Sequence, residues 1–152
     1  MKAIVIYYSE TGNTQKLASA VAAGMECHAV SISDVPPQSV ADYDAVCFCS
    51  PVQGWQLAPK MLEYIALLKP VAGKKAAMAF TKHLFGADSS AGKMRRKLEG
   101  KGYRVNGSYS CYGWSRLIAN FGPRSFMRGH PDADELERAT IFGEKFIQPR
   151  ET

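Results

Sequence analysis

The 152-residue chain, 46% hydrophobic with a net charge of +5, can fill the core of one domain but is too short for two, so a single domain over 1–152 is expected. No apolar run approaches membrane-spanning length, and Met1-Lys2 leads straight into the first strand without a leader-like segment, so a cytoplasmic protein with no membrane span is expected. Cys27, Cys47, Cys49 and Cys111 lack Cys-x-x-Cys spacing, which argues against an iron–sulfur cluster, a zinc site or a thioredoxin-like couple. No metal site is expected.

The elements alternate along the chain. Ala3-Ile4-Val5-Ile6-Tyr7-Tyr8 is nearly continuous and β-branched, as in a strand buried on both faces of a parallel sheet. Leu17, Val21 and Met25 recur every four residues in the helix behind Thr14, with Gly24 near its end, where a left-handed cap is common. A second strand is predicted at about Cys27–Ile32, and Pro36-Pro37 makes the crossover after it a poor helix. The third strand is Ala45–Cys49, its two cysteines alternating as small core residues. Pro59 opens a helix with Met61, Ile65 and Leu68 on its inner face. Lys75–Phe80 reads as a strand, Ser90–Glu99 as a helix, Tyr103–Ser110 as a strand and Asp132–Phe146 as the last helix. Asp132 and Glu135 offer that helix a capping-box start. Five strands alternating with helices imply an α/β protein with a three-layer, doubly wound, five-stranded parallel sheet.

The loop Ser9-Glu10-Thr11-Gly12-Asn13-Thr14 lies between the first strand and the first helix. It presents backbone N–H groups at a helix N-terminus, flanked by three hydroxyls and an amide, which can hold a dianion without a lysine. It has neither the Gly-Lys-Ser/Thr ending of a Walker A loop nor the spaced glycines of a dinucleotide fold. One glycine with a hydroxyl rim suits a single phosphomonoester, such as that of FMN. The same residue types also suit a loop that only caps a helix.

In pattern and in position after the first strand, this loop closely resembles the phosphate loop of the flavodoxin family, Ser/Thr-x-Thr-Gly-Asn-Thr/Ser. The resemblance implies a short, single-domain FMN-binding protein with strand order 2-1-3-4-5 and a ligand site beyond the carboxyl ends of strands one and three. Ser50–Pro59 then resembles the family's flavin-contacting loop, with Pro51, Val52, Gln53, Gly54 and Trp55 as contacts. A peptide flip at Gly54 would offer a carbonyl to reduced flavin and favour the semiquinone, and Trp55 would face the ring. Trp55 also fits a core position beneath an ordinary turn. The third loop, with Thr81, Lys82, His83, Phe85 and Gly86, departs from the family's usual tyrosine among acidic residues. A cation there would stabilise anionic reduced flavin. His83 is a candidate flavin contact, whereas His130 reads as part of the turn into the last helix.

Charge separates this chain from typical acidic flavodoxins. Residues 1–76 hold six Lys/Arg against six Asp/Glu, while Lys82–Arg128 holds ten against two. An acidic redox protein, ferredoxin-like or a reductase, is therefore the expected partner. Arg116, Arg124 and Arg128 fall with Tyr112, Trp114, Phe121 and Phe126 in a long segment, Cys111–Gly129, of the kind that often carries function. Nucleic acid is not the expected ligand, because the aromatics form no ribonucleoprotein-type motif. The resulting expectation is an FMN-binding electron-transfer protein without catalytic residues of its own. The alternatives are an FMN-dependent oxidoreductase acting on a quinone or an anionic substrate such as a porphyrinogen, and a flavin-free interaction module.

Overall fold

A computed structural model describes residues 1–53, 56–82, 87–113 and 129–149. The chain runs through β1 (Ala3–Tyr7), α1 (Asn13–Gly24), β2 (Ala29–Ser31), a 3-10 turn (Pro37–Asp42), β3 (Ala45–Gln53) and β4 (Gln56–Leu57). It continues through α2 (Pro59–Ala66), β5 (Lys75–Lys82), α3 (Ala87–Gly100), β6 (Arg104–Tyr112) and α4 (Ala133–Ile147). Five strands pair in parallel in the order β2-β1-β3-β5-β6, and the two-residue β4 pairs antiparallel with the end of β3. Setting β4 aside, this is the predicted order 2-1-3-4-5.

Strand alternation divides the core between two unlike faces. Ile4, Ile6, Val46, Phe48, Met78 and Phe80 pack beneath α2 and α3 with Met61, Ile65, Met94 and Leu98. Val5, Ala45, Cys47, Cys49, Ala77 and Ala79 face α1 and α4, where they meet Leu17, Val21, Ala139 and Phe146. The second face is built of small side chains. The cysteines of β3 are thus the core residues their alternation suggests, both wholly buried.

Several local expectations are corrected. Gly24 is not a left-handed cap: a Cβ there would lie 1.9 Å from the Thr140 carbonyl oxygen, so its role is to let α1 approach α4. Gly143 answers from the other helix, where a Cβ would lie 2.3 Å from Val21 O. The left-handed residue is Glu26, at φ 53°. The strand expected to end at Cys49 runs on through Ser50, Pro51 and Val52 to Gln53. Cys49 O accepts from Tyr8 N–H at 3.1 Å, so Cys49 and, by alternation, Pro51 turn their backbone groups towards the β1 side. Since β1 has ended there, the proline forfeits no ladder bond. Likewise β6 runs past Ser110 to include Cys111 and Tyr112.

Candidate functional site

The carboxyl ends of β1, β3, β5 and β6 converge around the first loop. Gly12 has φ 90°, and a Cβ there would meet nothing within 4 Å, so it gives the loop a left-handed turn beside open space. Its N–H donates to Ser9 Oγ at 3.1 Å and its carbonyl accepts from Lys16 N–H at 3.1 Å, which begins α1. As the residue before the helix it offers no side-chain acceptor to the first-turn amides. That end of α1 therefore keeps the donor character and partial positive charge that favour an anion.

Asn13 and Thr14 are turned inward, 9% and 2% exposed. Thr14 Oγ1 lies 2.8 Å from Thr81 Oγ1, with either hydroxyl able to donate. Only one proton is needed between them, so the pair keeps a second for another acceptor. Gly113 closes the arrangement: a Cβ there would come 3.2 Å from Thr81 Cβ and 3.5 Å from Asn13 Cβ. Its N–H donates to Lys82 O at 2.9 Å. Thr81, offered by sequence as a third-loop residue, is thus joined to the first loop inside the protein.

At the rim, Tyr8 donates its hydroxyl to Glu10 Oε1 at 2.8 Å, and Lys60 Nζ lies 5.8 Å from the centroid of the Tyr8 ring. The bond to the Glu10 carboxylate, with a smaller contribution from burial, raises the phenol above its ordinary value. Lys82, paired in register with Tyr112, holds its ammonium 5.2 Å from that ring's centroid. Tyr112 also meets the His130 ring edge-on, at 5.9 Å between centroids.

Glu135 ties this corner to α4. Its Oε2 accepts from Tyr112 N–H at 2.7 Å, and its Oε1 accepts from Asp132 N–H at 3.3 Å and contacts His130 Nδ1. Asp132 Oδ1 accepts from Glu135 N–H at 2.8 Å, which completes the expected capping box. His130, Asp132 and Glu135 bring ligand-type atoms within 4.8 Å of one another, but the carboxylates are engaged in capping and in holding β6. His130 belongs to the turn into α4, as read from the sequence.

Ser9, Glu10, Thr11, Gly12, Asn13, Thr14, Pro51, Val52, Gln53, Thr81 and Lys82 all fall at this end of the sheet. Val52 spends its side chain in the core under α2. Gly54, Trp55, His83, Phe85 and Gly86 lie outside the described residues, as do Arg116, Arg124 and Arg128. Sequence reasoning missed Tyr112 and Gly113 as members of the site. Their signal is present in hindsight, a glycine immediately after the last parallel strand.

The family model described as a flavodoxin domain matches residues 4–113. An uncharacterized protein of Methanocaldococcus jannaschii is 24% identical over 156 residues, covering 97% of this chain and 99% of that one. Among solved structures, a flavodoxin from the domain Archaea matches with TM-score 0.72 and 20% identity over 96% of both chains. Oxidised flavodoxin 1 from Bacillus cereus matches with TM-score 0.73 and 19% identity over 97% of both.

Proposed function

Since the chain belongs to the flavodoxin family, we propose that it binds FMN and works as an electron carrier between proteins. The observation that supports this reading is the first loop, where a left-handed Gly12 beside open space, the uncapped start of α1 and the spare proton of the Thr14–Thr81 pair converge without a lysine. That donor set fits a phosphomonoester dianion. Ser9, Thr11, Asn13 and Thr14 hold the phosphate, and the loops at Pro51–Trp55 and Thr81–Gly86 flank the ring. The flavin supplies the redox chemistry, and the chain supplies binding, orientation and electrostatics. Lys82 adds a positive charge at the ends of β5 and β6, which favours extra negative charge on a ligand there.

The direct test is reconstitution. The purified protein should take up FMN far more tightly than riboflavin, and the bound flavin should be reducible in steps that a visible spectrum follows. A colourless protein that neither flavin reconstitutes would instead support a flavin-free interaction module. The second reading, an oxidoreductase acting on a quinone or an anionic substrate such as a porphyrinogen, is favoured by the exposed Tyr112 ring beside Lys82. Rapid turnover with such small acceptors would select it over the carrier.

A further inference from the structure

The fold sorts the chain's charge by layer. On α3, Arg95 is occupied, its guanidinium donating to Val105 O at 2.8 Å and lying 3.8 Å from Glu99. Lys101, just beyond the helix, donates to Ala66 O at 2.8 Å. Lys93, Arg96 and Lys97 remain on the exposed face, three cations at positions i, i+3 and i+4. Among the described residues they have no acidic partner within ion-pair distance. Like charges at these spacings destabilise a helix. The position of Lys97 in the last turn offsets this at one residue only.

The opposite layer has the opposite sign. Helix α4 carries Asp134, Glu135, Glu137 and Glu144 against Arg138 and Lys145, and Arg138 is already paired with Asp134 at 3.1 Å. The sheet therefore separates a basic helix from an acidic one, giving the molecule an electrostatic polarity across its layers. An acidic partner is drawn to the α3 side and repelled from the α4 side, which orients the encounter as well as accelerating it.

Resting on the electron-carrier reading, we infer that the outward face of α3, centred on Lys93, Arg96 and Lys97, is the docking surface for an acidic redox protein. Helix α3 begins directly after the third candidate loop, and Lys93 lies about 9 Å along it at 1.5 Å per residue. A partner seated there stands beside the proposed flavin. A protein partner fits better than a nucleic acid because α3 carries no aromatic residue on which a base could stack.

The test uses the FMN-loaded protein and a reduced, acidic plant-type [2Fe–2S] ferredoxin as probe, with rates read by stopped flow at rising salt. Lys93→Glu/Lys97→Glu is compared with Arg138→Glu/Lys145→Glu, which changes the net charge equally on the other layer. At low salt the α3 variant should lose about tenfold or more in rate and most of its salt dependence, while the α4 variant stays within about threefold. Equal losses in both variants would overturn the inference, since net charge alone would then govern the encounter. Unchanged rates in the α3 variant would overturn it as well. Tighter binding of a polyuridylate RNA than of ferredoxin, lost in the α3 variant, would reassign the surface to nucleic acid. If the protein takes up no FMN, calorimetric binding of oxidised ferredoxin to the same variants still reads the surface, so failure of the flavin reading is told apart from failure of the docking face.

Discussion

Thr14 and Thr81, 67 residues apart in sequence, share a buried hydroxyl–hydroxyl hydrogen bond of 2.8 Å that joins the first turn of α1 to the end of β5. Removing either hydroxyl leaves the other buried without this partner, a penalty of about 1–3 kcal/mol. Thr14→Ala and Thr81→Ala should each lower the urea midpoint, and the double variant should cost clearly less than the sum. Strict additivity would mean the two hydroxyls are not coupled.

Thr11 is exposed and makes no such internal bond in the described contacts, so it separates ligand binding from stability. Thr11→Ala should weaken FMN by about 1–3 kcal/mol, as for a hydrogen bond to a charged group, with riboflavin affinity and melting temperature nearly unchanged. Equal losses for both flavins would remove Thr11 from the phosphate site.

Two helical glycines, Gly24 at the crossing of α1 with α4 and Gly92 on α3, give predictions of opposite sign. Gly24→Ala forces a methyl against the Thr140 carbonyl and should cost at least about 1–3 kcal/mol, despite alanine's better helix propensity. Gly92→Ala, whose Cβ would come no closer than 3.6 Å to Arg96, should instead stabilise by about 0.5–1 kcal/mol. Thermal melting of the two variants reads both signs, and a stabilised Gly24→Ala would contradict the close helix approach.

Trp55 follows Gly54 in the proposed flavin loop. Its fluorescence should be quenched on FMN addition, and Trp55→Ala should weaken FMN and riboflavin alike, because a ring contact does not involve the phosphate. Unchanged affinity for both flavins would assign Trp55 to the core.

Burial pushes the Cys111 thiol up to about 12, helped by Glu135 and Asp132, and the Tyr109 phenol up to about 12. Below about pH 8.5 both groups are protonated in the folded and unfolded chains, and their contribution to stability is complete. Between there and about pH 12 the unfolded chain releases protons that the folded one keeps, so stability must fall as pH rises. Denaturation midpoints should decline from pH 8 to 11, and Cys111→Ala should flatten the first part of that decline. A midpoint indifferent to pH over this range would argue against the burial of these groups.

The strands and the start of α4 were legible because their signals are local: a β-branched run such as Ala3–Tyr8, or an acid three residues after a capping aspartate. The place of Ser9–Thr14 between β1 and α1 was legible for the same reason. Gly24 was misread because helix approach depends on a partner 116 residues away, at Thr140, and no local pattern distinguishes it from a cap. The extension of β3 through Pro51 was missed because the proline is acceptable only where a neighbouring strand has ended. The Thr14–Thr81 bond and the place of Tyr112 likewise depend on register between strands.

Glu135 binds Tyr112 N–H through one carboxylate oxygen and His130 through the other. The outgoing strand and the incoming helix are thereby fastened to each other just outside residues 114–128, and the family match ends at 113, next to this fastening. Closing a loop across a fixed gap costs only about 0.6 kcal/mol more for each doubling of its length. With both flanks held through Glu135, a change in the number of residues between Gly113 and Gly129 leaves the pairing of β6 and the cap of α4 in place. A variant with a few residues added between Gly113 and Gly129 should therefore keep its melting temperature within a few degrees, and a large loss of stability would show that the fastening at Glu135 does not carry this corner.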